Sequence, residues 1–163
     1  MKNQQRKCCS MPLKIISGDI TKLEVDAIVN AANSTLLFGG GVDGAIRKAA
    51  GKGLFWECLR LFGCREGKAK ITKGYKLPCQ YIIHTVGPQW KGGNKGEKET
   101  LISCYKSCMS LAFKHKCKSI AFPIISSGNY KYPKDEALRV AQATIKEALK
   151  QRDISAYIVI YDN

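Results

Sequence analysis

Two histidines and eight cysteines are spread along this chain without a single Cys-X-X-Cys pair, so the ligand spacing of a structural zinc site is missing. His84 and His115 each stand alone; Cys58, Cys104 and Cys108 fall within helical patterns, Cys79 follows Pro78, and Cys117 precedes an apolar run. Free thiols in a reducing compartment are therefore expected in place of disulfide staples, with no metal and no cofactor. No apolar run is long enough to cross a bilayer, and Met1 to Ser10 lacks the apolar core of a secretion signal. The expectation is a cytoplasmic protein without membrane contact. Repeats, low-complexity stretches and arginine-rich blocks are also missing. Acidic residues are few, 13 against 27 basic ones, and the formal charge of +14 concentrates anionic partners without choosing among them. The basic residues lie at Lys2 to Lys7, Arg65 to Lys76 and Lys114 to Lys118, without the alternation with aromatic residues that makes stacking platforms. Weak nucleic-acid binding through this surface is a subordinate reading.

At 163 residues the chain has room for about one domain with a single core. Short β-branched runs alternate with longer helical patterns, as in crossover units on a largely parallel or mixed sheet. Strands are read at Lys14 to Ser17, Ala27 to Asn30, Ala69 to Thr72, Gln80 to Thr85, Ser119 to Pro123 and Ala156 to Tyr161. Leu101, Tyr105, Cys108, Met109 and Ala112 keep helical spacing between Glu97 and Lys116, and Leu138, Ala141, Ile145, Ala148 and Leu149 repeat it after Pro133. His84 and Trp90 read as a hydrogen-bonded core residue and a sheet cover. Neither is expected to carry chemistry.

Small and polar residues gather after the strands, where an open α/β sheet binds ligands. After Ala27-Ile-Val29 come Asn30 and Asn33, the glycines Gly39, Gly40 and Gly41, then Val42 and a lone carboxylate, Asp43, at the head of a helical pattern over Gly44 to Ala50. Such a loop brings bare N–H groups to an anion, and Asp43 reads either as an N-cap of that helix or as a chemical group. A second loop, Ser126, Ser127, Gly128, Asn129 and Tyr130, joins an apolar strand to a helix and offers more N–H groups and hydroxyls. Neither loop fits the Gly-Lys-Ser/Thr phosphate pattern or the dinucleotide fingerprint. Asp19, in Ser17-Gly-Asp-Ile-Thr21, reads as a turn cap or as an acceptor for an exocyclic amine, with the Ile20 N–H beside it.

Gly18-Asp-Ile-Thr21, Val25-Asp-Ala-Ile-Val-Asn-Ala-Ala-Asn33, Gly39-Gly-Gly-Val-Asp-Gly-Ala-Ile46, Ile82-Ile-His-Thr-Val-Gly-Pro88 and Phe122-Pro-Ile-Ile-Ser-Ser-Gly-Asn-Tyr130 resemble, in order, the successive signatures of the macro domain family. The resemblance implies a three-layer α/β/α fold with a mixed, mostly parallel sheet of about six strands over residues 13–163, after a flexible basic tail at 1–12. The Asn33 and Asp43 pair is similar to the MacroD-type branch. That branch implies binding of ADP-ribose, hydrolysis of mono-ADP-ribose esters on acidic side chains of proteins, and deacetylation of O-acetyl-ADP-ribose. Asp19 and Ile20 would then contact adenine, Gly39 to Val42 and Ser126 to Tyr130 would wrap the diphosphate, Asn33 would orient the distal ribose, and Asp43 would hold a water at its ester. A monomer is expected. The chain departs from the family pattern in Phe38 and Lys131, where glycine is usual, in Arg47, where histidine is frequent, and in stopping at Asn163, where relatives usually continue into a last helix. At Lys131 a positive φ would strain the side chain.

Overall fold

The computed structural model describes residues 13–161. The tail expected at residues 1–12 lies outside them. Six strands, β1 (Leu13–Ser17), β2 (Ala27–Ala31), β3 (Ala69–Lys73), β4 (Tyr81–Thr85), β5 (Ser119–Phe122) and β6 (Ser155–Ile160), form one sheet in the order β1-β6-β5-β2-β4-β3. All neighbours run parallel except β3, which closes one edge antiparallel to β4. Helices α1 (Gly41–Ala50) and α2 (Lys52–Arg60) follow β2, while α3 (Glu97–Lys114) and α4 (Lys134–Leu149) flank β5. The expected strands are all present, with ends shifted by one residue.

Period-2 alternation sorts the strand side chains into two apolar layers. Val29, Ile83, Ile120, Phe122 and Ile158 join Leu101, Tyr105 and Met109 of α3 and Ala141 and Ile145 of α4 in one cluster. Ile28, Ile82, Ala121 and Val159 face the other way, onto Ile46 of α1 and Leu54 and Cys58 of α2. The result is the three-layer α/β/α arrangement expected. His84 points into the second layer and is fully buried. Trp90 packs at the margin of the first, with its ring 4.7 Å from that of Tyr132.

Connections leave the two central strands in opposite directions: the chain goes from β2 by way of α1 and α2 toward β3 and β4, and from β5 by way of α4 to β6. A crevice opens where strand order reverses in this way, outside the carboxyl ends of the strands. Both polar loops singled out in the sequence leave from this place.

Candidate functional site

A cleft of about 490 Å³ lies over the ends of β2, β5 and β6, in the size range of small-molecule sites. One wall carries Asn33, Gly39, Gly40, Gly41, Val42 and Asp43; the facing wall carries Ser126, Ser127, Gly128, Asn129 and Tyr130, with Tyr161 beside them. Eleven of the thirteen residues expected at the site therefore meet in one cavity. Asp19 and Ile20 are not among its lining residues. They lie next to it, since the Gly18 N–H donates to the Ile160 carbonyl at 3.0 Å. Asp19 caps a short 3-10 turn over Ile20–Lys22: the Thr21 hydroxyl (2.7 Å) and N–H (2.9 Å) both donate to Oδ1 and hold its carboxyl below the ordinary range. The turn-cap reading of Asp19 holds, with the opposite oxygen left over.

Helix α1 starts earlier than its sequence pattern suggests. Its N-cap is Gly40, with no side-chain cap, and Asp43 sits inside the first turn, which overturns the reading of Asp43 as the N-cap. The glycine run lacks the Ser, Thr or Asp that normally satisfies first-turn N–H groups, so those donors and the positive helix end are left to the cleft. Gly39 has a separate reason to be glycine: a Cβ there would stand 2.3 Å from Asp43 Oδ2. The opposite loop is folded by its own backbone. The Ser127 N–H donates to the Ile124 carbonyl (3.3 Å), the Lys131 N–H to Gly128 (2.9 Å) and the Tyr132 N–H to Ser126 (2.9 Å). These turns do not use the N–H groups of Gly128, Asn129 and Tyr130. Ser126 is buried with φ 67, and its hydroxyl, in the cleft wall, has no partner. Lys131 adopts φ 60, the left-handed conformation anticipated for that position.

Asp43 is only 3 % exposed and both its oxygens are held. Asn30 Nδ2 donates to Oδ1 at 2.6 Å, and Arg47 Nε, one helical turn on, donates to Oδ2 at 2.9 Å while its Nη2 donates to the Leu36 carbonyl at 2.6 Å. Burial opposes the Arg47 charge, but the hydrogen bond and charge of Asp43 outweigh it and raise the guanidinium above its ordinary value. Behind this pair the proton pattern is determined by chemistry. A carboxylate only accepts, so Asn30 must turn its amide nitrogen to Asp43; the same nitrogen lies 3.1 Å from His84 Nδ1, which must then accept. His84 therefore carries its proton on Nε2 and donates to Thr72 Oγ1 at 3.0 Å, while Thr72 donates to the Lys73 carbonyl at 3.2 Å. Burial and the Arg47 charge push His84 down to about 4, opposed by Asp43, so the ring is neutral at neutral pH. This is the hydrogen-bonded core histidine expected.

Asn33 is engaged by its own loop. Its Oδ1 accepts from the Thr35 hydroxyl (2.7 Å) and the Leu36 N–H (3.1 Å), and its Nδ2 donates to the Phe38 carbonyl. One Nδ2 hydrogen is left for a ligand. Two residues of the site were not legible as partners: Arg47, although its i,i+4 spacing from Asp43 is the signal for a helical ion pair, and Asn30, buried inside a quoted motif. Among the described residues no three His, Cys, Asp or Glu side chains gather as a metal site, and no helix is long and apolar enough to cross a membrane.

Known proteins resemble this chain over most of its length. The macro domain family model matches residues 29–141. A macro domain-containing protein of Mesorhizobium japonicum is 57% identical over 147 residues, covering 90% of this chain and 84% of its own length. The ADP-ribose glycohydrolase MACROD2 of Xenopus laevis is 56% identical over 135 residues, 82% of this chain, but the match spans only 32% of that protein. Among solved structures, a Trypanosoma brucei macrodomain in complex with ADP-ribose superposes with a TM-score of 0.84 at 40% identity, covering 91% of this chain and 63% of that one. On fold, cleft and relatives together, the chain belongs to the macro domain family.

Proposed function

We propose that this chain binds ADP-ribose in the cleft and hydrolyses its mono-ADP-ribose esters on acidic side chains of proteins, with O-acetyl-ADP-ribose as a second substrate. The observation that carries the proposal is the placement of buried Asp43 in the first turn of an uncapped, glycine-led helix whose N–H groups face a second N–H-rich loop. The two loops are suited to a diphosphate, which needs many donors and little side-chain bulk. Support for the ligand comes from the relative solved with ADP-ribose and from the relatives named ADP-ribose glycohydrolases.

With the diphosphate between the loops, the distal ribose lies at Gly39 and Asp43, oriented by the remaining Nδ2 hydrogen of Asn33. Asp43 holds a water against the ester; as the water oxygen bonds to the ester and the ester C–O bond breaks, the water's proton passes by way of a diphosphate oxygen to the departing ribose oxygen, which leaves a carboxylic acid and a ribose hydroxyl. Asp19 and the Ile20 N–H receive the adenine amine and ring nitrogen. Tyr130 covers the diphosphate and excludes bulk water.

A reader that binds without turnover is the second reading, and one observation favours it: the Asp43 carboxylate is covered by Gly39 and tied to Arg47, which limits its access to water. One experiment separates the two. Calorimetry with ADP-ribose should give a single site, and protein carrying ester-linked ADP-ribose on glutamate should release free ADP-ribose. Binding with retained label supports the reader, and failure to bind overturns both.

A further inference from the structure

Beside the cleft, on the outer side of the Asn33 to Gly39 loop, lies a shallow groove of about 350 Å³ formed by Leu37, Phe38, Arg47, Lys48, Lys52 and Phe55 with Gly51. Its residues come from the loop, from α1 and from the start of α2, so aromatic and basic side chains that do not alternate in the sequence are interleaved in space. Phe38 is 70% exposed, and Trp56 next to Phe55 is 59% exposed, although large apolar side chains usually avoid water. The charges are equally unspent. Arg47 is neutralised by Asp43, but Lys48 and Lys52 are in no ion pair; among the described residues only Asp43–Arg47 and Glu147–Lys150 are paired.

We infer that this groove is the docking surface for the polypeptide that carries the ADP-ribose, an acidic segment with an apolar side chain near the modified residue. The inference rests on the proposed function, because that reading puts the distal ribose at Gly39, and Phe38 is the next residue outward. Whatever is esterified to the ribose leaves the cleft over Phe38. The residue that carries the ester is itself a glutamate or aspartate, and further acidic side chains beside it would complement Lys48 and Lys52 on the groove wall. The apolar floor then takes a neighbouring side chain. A single-stranded nucleic acid fits less well: the Phe38 and Phe55 rings are tilted by 44° and the Phe55 and Trp56 rings by 80°, so no parallel faces are offered to successive bases. The groove would thus separate protein-borne ADP-ribose from the free nucleotide, which uses the cleft alone.

The test compares four probes on the wild-type chain and on two variants, Lys48→Glu/Lys52→Glu and Phe38→Ala. The probes are ADP-ribose, a Glu-rich peptide with one leucine that carries ADP-ribose through a non-cleavable amide, the same peptide unmodified, and a single-stranded oligonucleotide of equal charge. The wild type should bind the modified peptide about tenfold more tightly than ADP-ribose, each variant should lose most of that excess, and ADP-ribose affinity should stay unchanged in both. The unmodified peptide should shift the backbone amide resonances of Phe38, Lys48, Lys52 and Phe55. Equal wild-type affinity for the modified peptide and ADP-ribose overturns the inference, as does an oligonucleotide that shifts those resonances where the peptide does not. If ADP-ribose fails to bind while the unmodified peptide still shifts them, the cleft reading falls and takes the link to ADP-ribose with it, and only the groove's affinity for an acidic segment stands. If the peptide shifts none of them, the groove falls whatever the cleft does.

Discussion

Under α3 and α4 the sheet is covered by Leu101, Cys104, Tyr105, Cys108 and Met109 of α3 and Ala141 and Ile145 of α4, all buried; under α1 and α2 the same depth holds Asn30, Asp43, Thr72 and His84. The buried polar exchanges of the first layer are isolated: the Cys104 thiol donates to the Val86 carbonyl at 3.3 Å, and the Tyr105 hydroxyl sits between the Pro123 carbonyl (3.4 Å) and the Ile125 N–H (3.1 Å), where it supports the base of the second loop. The second layer contains a continuous chain from Arg47 through Asp43, Asn30 and His84 to Thr72. A buried ion pair adds little net stability over a well-packed apolar pair, since desolvation offsets most of the attraction. One face is built for packing and the other for holding a single carboxylate in place.

The comparison is broken most directly at Asp43. Replacing it by Asn keeps the shape and a partner for Arg47, whereas Ala would leave the buried guanidinium unpaired; the expected loss of turnover is about 10³-fold, near 4 kcal/mol, with ADP-ribose affinity within about tenfold. Release of ADP-ribose from modified protein and calorimetry read the two numbers. On the packing face, Leu101→Ala should cost about 3 kcal/mol in denaturant unfolding and leave turnover per folded molecule unchanged. An equal loss of turnover there would erase the distinction between the faces.

The buried histidine sharpens it through pH. His84 is near 4 in the folded chain against an ordinary 6.5, so between those values the unfolded state binds the extra proton and stability falls as pH is lowered. The full effect is on the order of 3 kcal/mol. It is present above pH 6.5 and lost toward pH 4. Thermal melts of the wild type and His84→Gln across this window should differ in slope, the variant being flatter. The smallest expected effect is at the second loop, where Lys131→Gly relieves a left-handed backbone and should raise stability by up to about 1 kcal/mol.

Much of this was legible in the sequence because it depends on local periodicity and backbone chemistry. The strands follow period-2 alternation and α3 follows Leu101, Tyr105 and Met109, whereas the conformation of Lys131 was expected by resemblance, from the glycine usual at its position. The two loops were legible only as a pair: each alone reads equally well as a tight turn, and together at one rim of the sheet they suit the close approach of an anion. What was not legible depends on distance in the fold. Asn30 meets Asp43 across 13 positions and His84 across 54, contacts that no local pattern encodes. The start of α1 was missed because glycines are poor helix formers and Gly41 to Val42 give no propensity signal. Asp19 and Ile20 read as pocket residues by resemblance, but their turn lies beside the cavity, tied to the end of β6. The groove around Phe38 and Phe55 exists only once α2 packs against the loop.

A crystal structure of the chain with ADP-ribose bound would show whether Asp43 faces the distal ribose. The account predicts the diphosphate between Gly39–Gly41 and Ser126–Tyr130, adenine toward Asp19, and the distal ribose facing Asp43 with a water between them. A ligand bound the other way round, or a cleft left empty at saturating ADP-ribose, would contradict it.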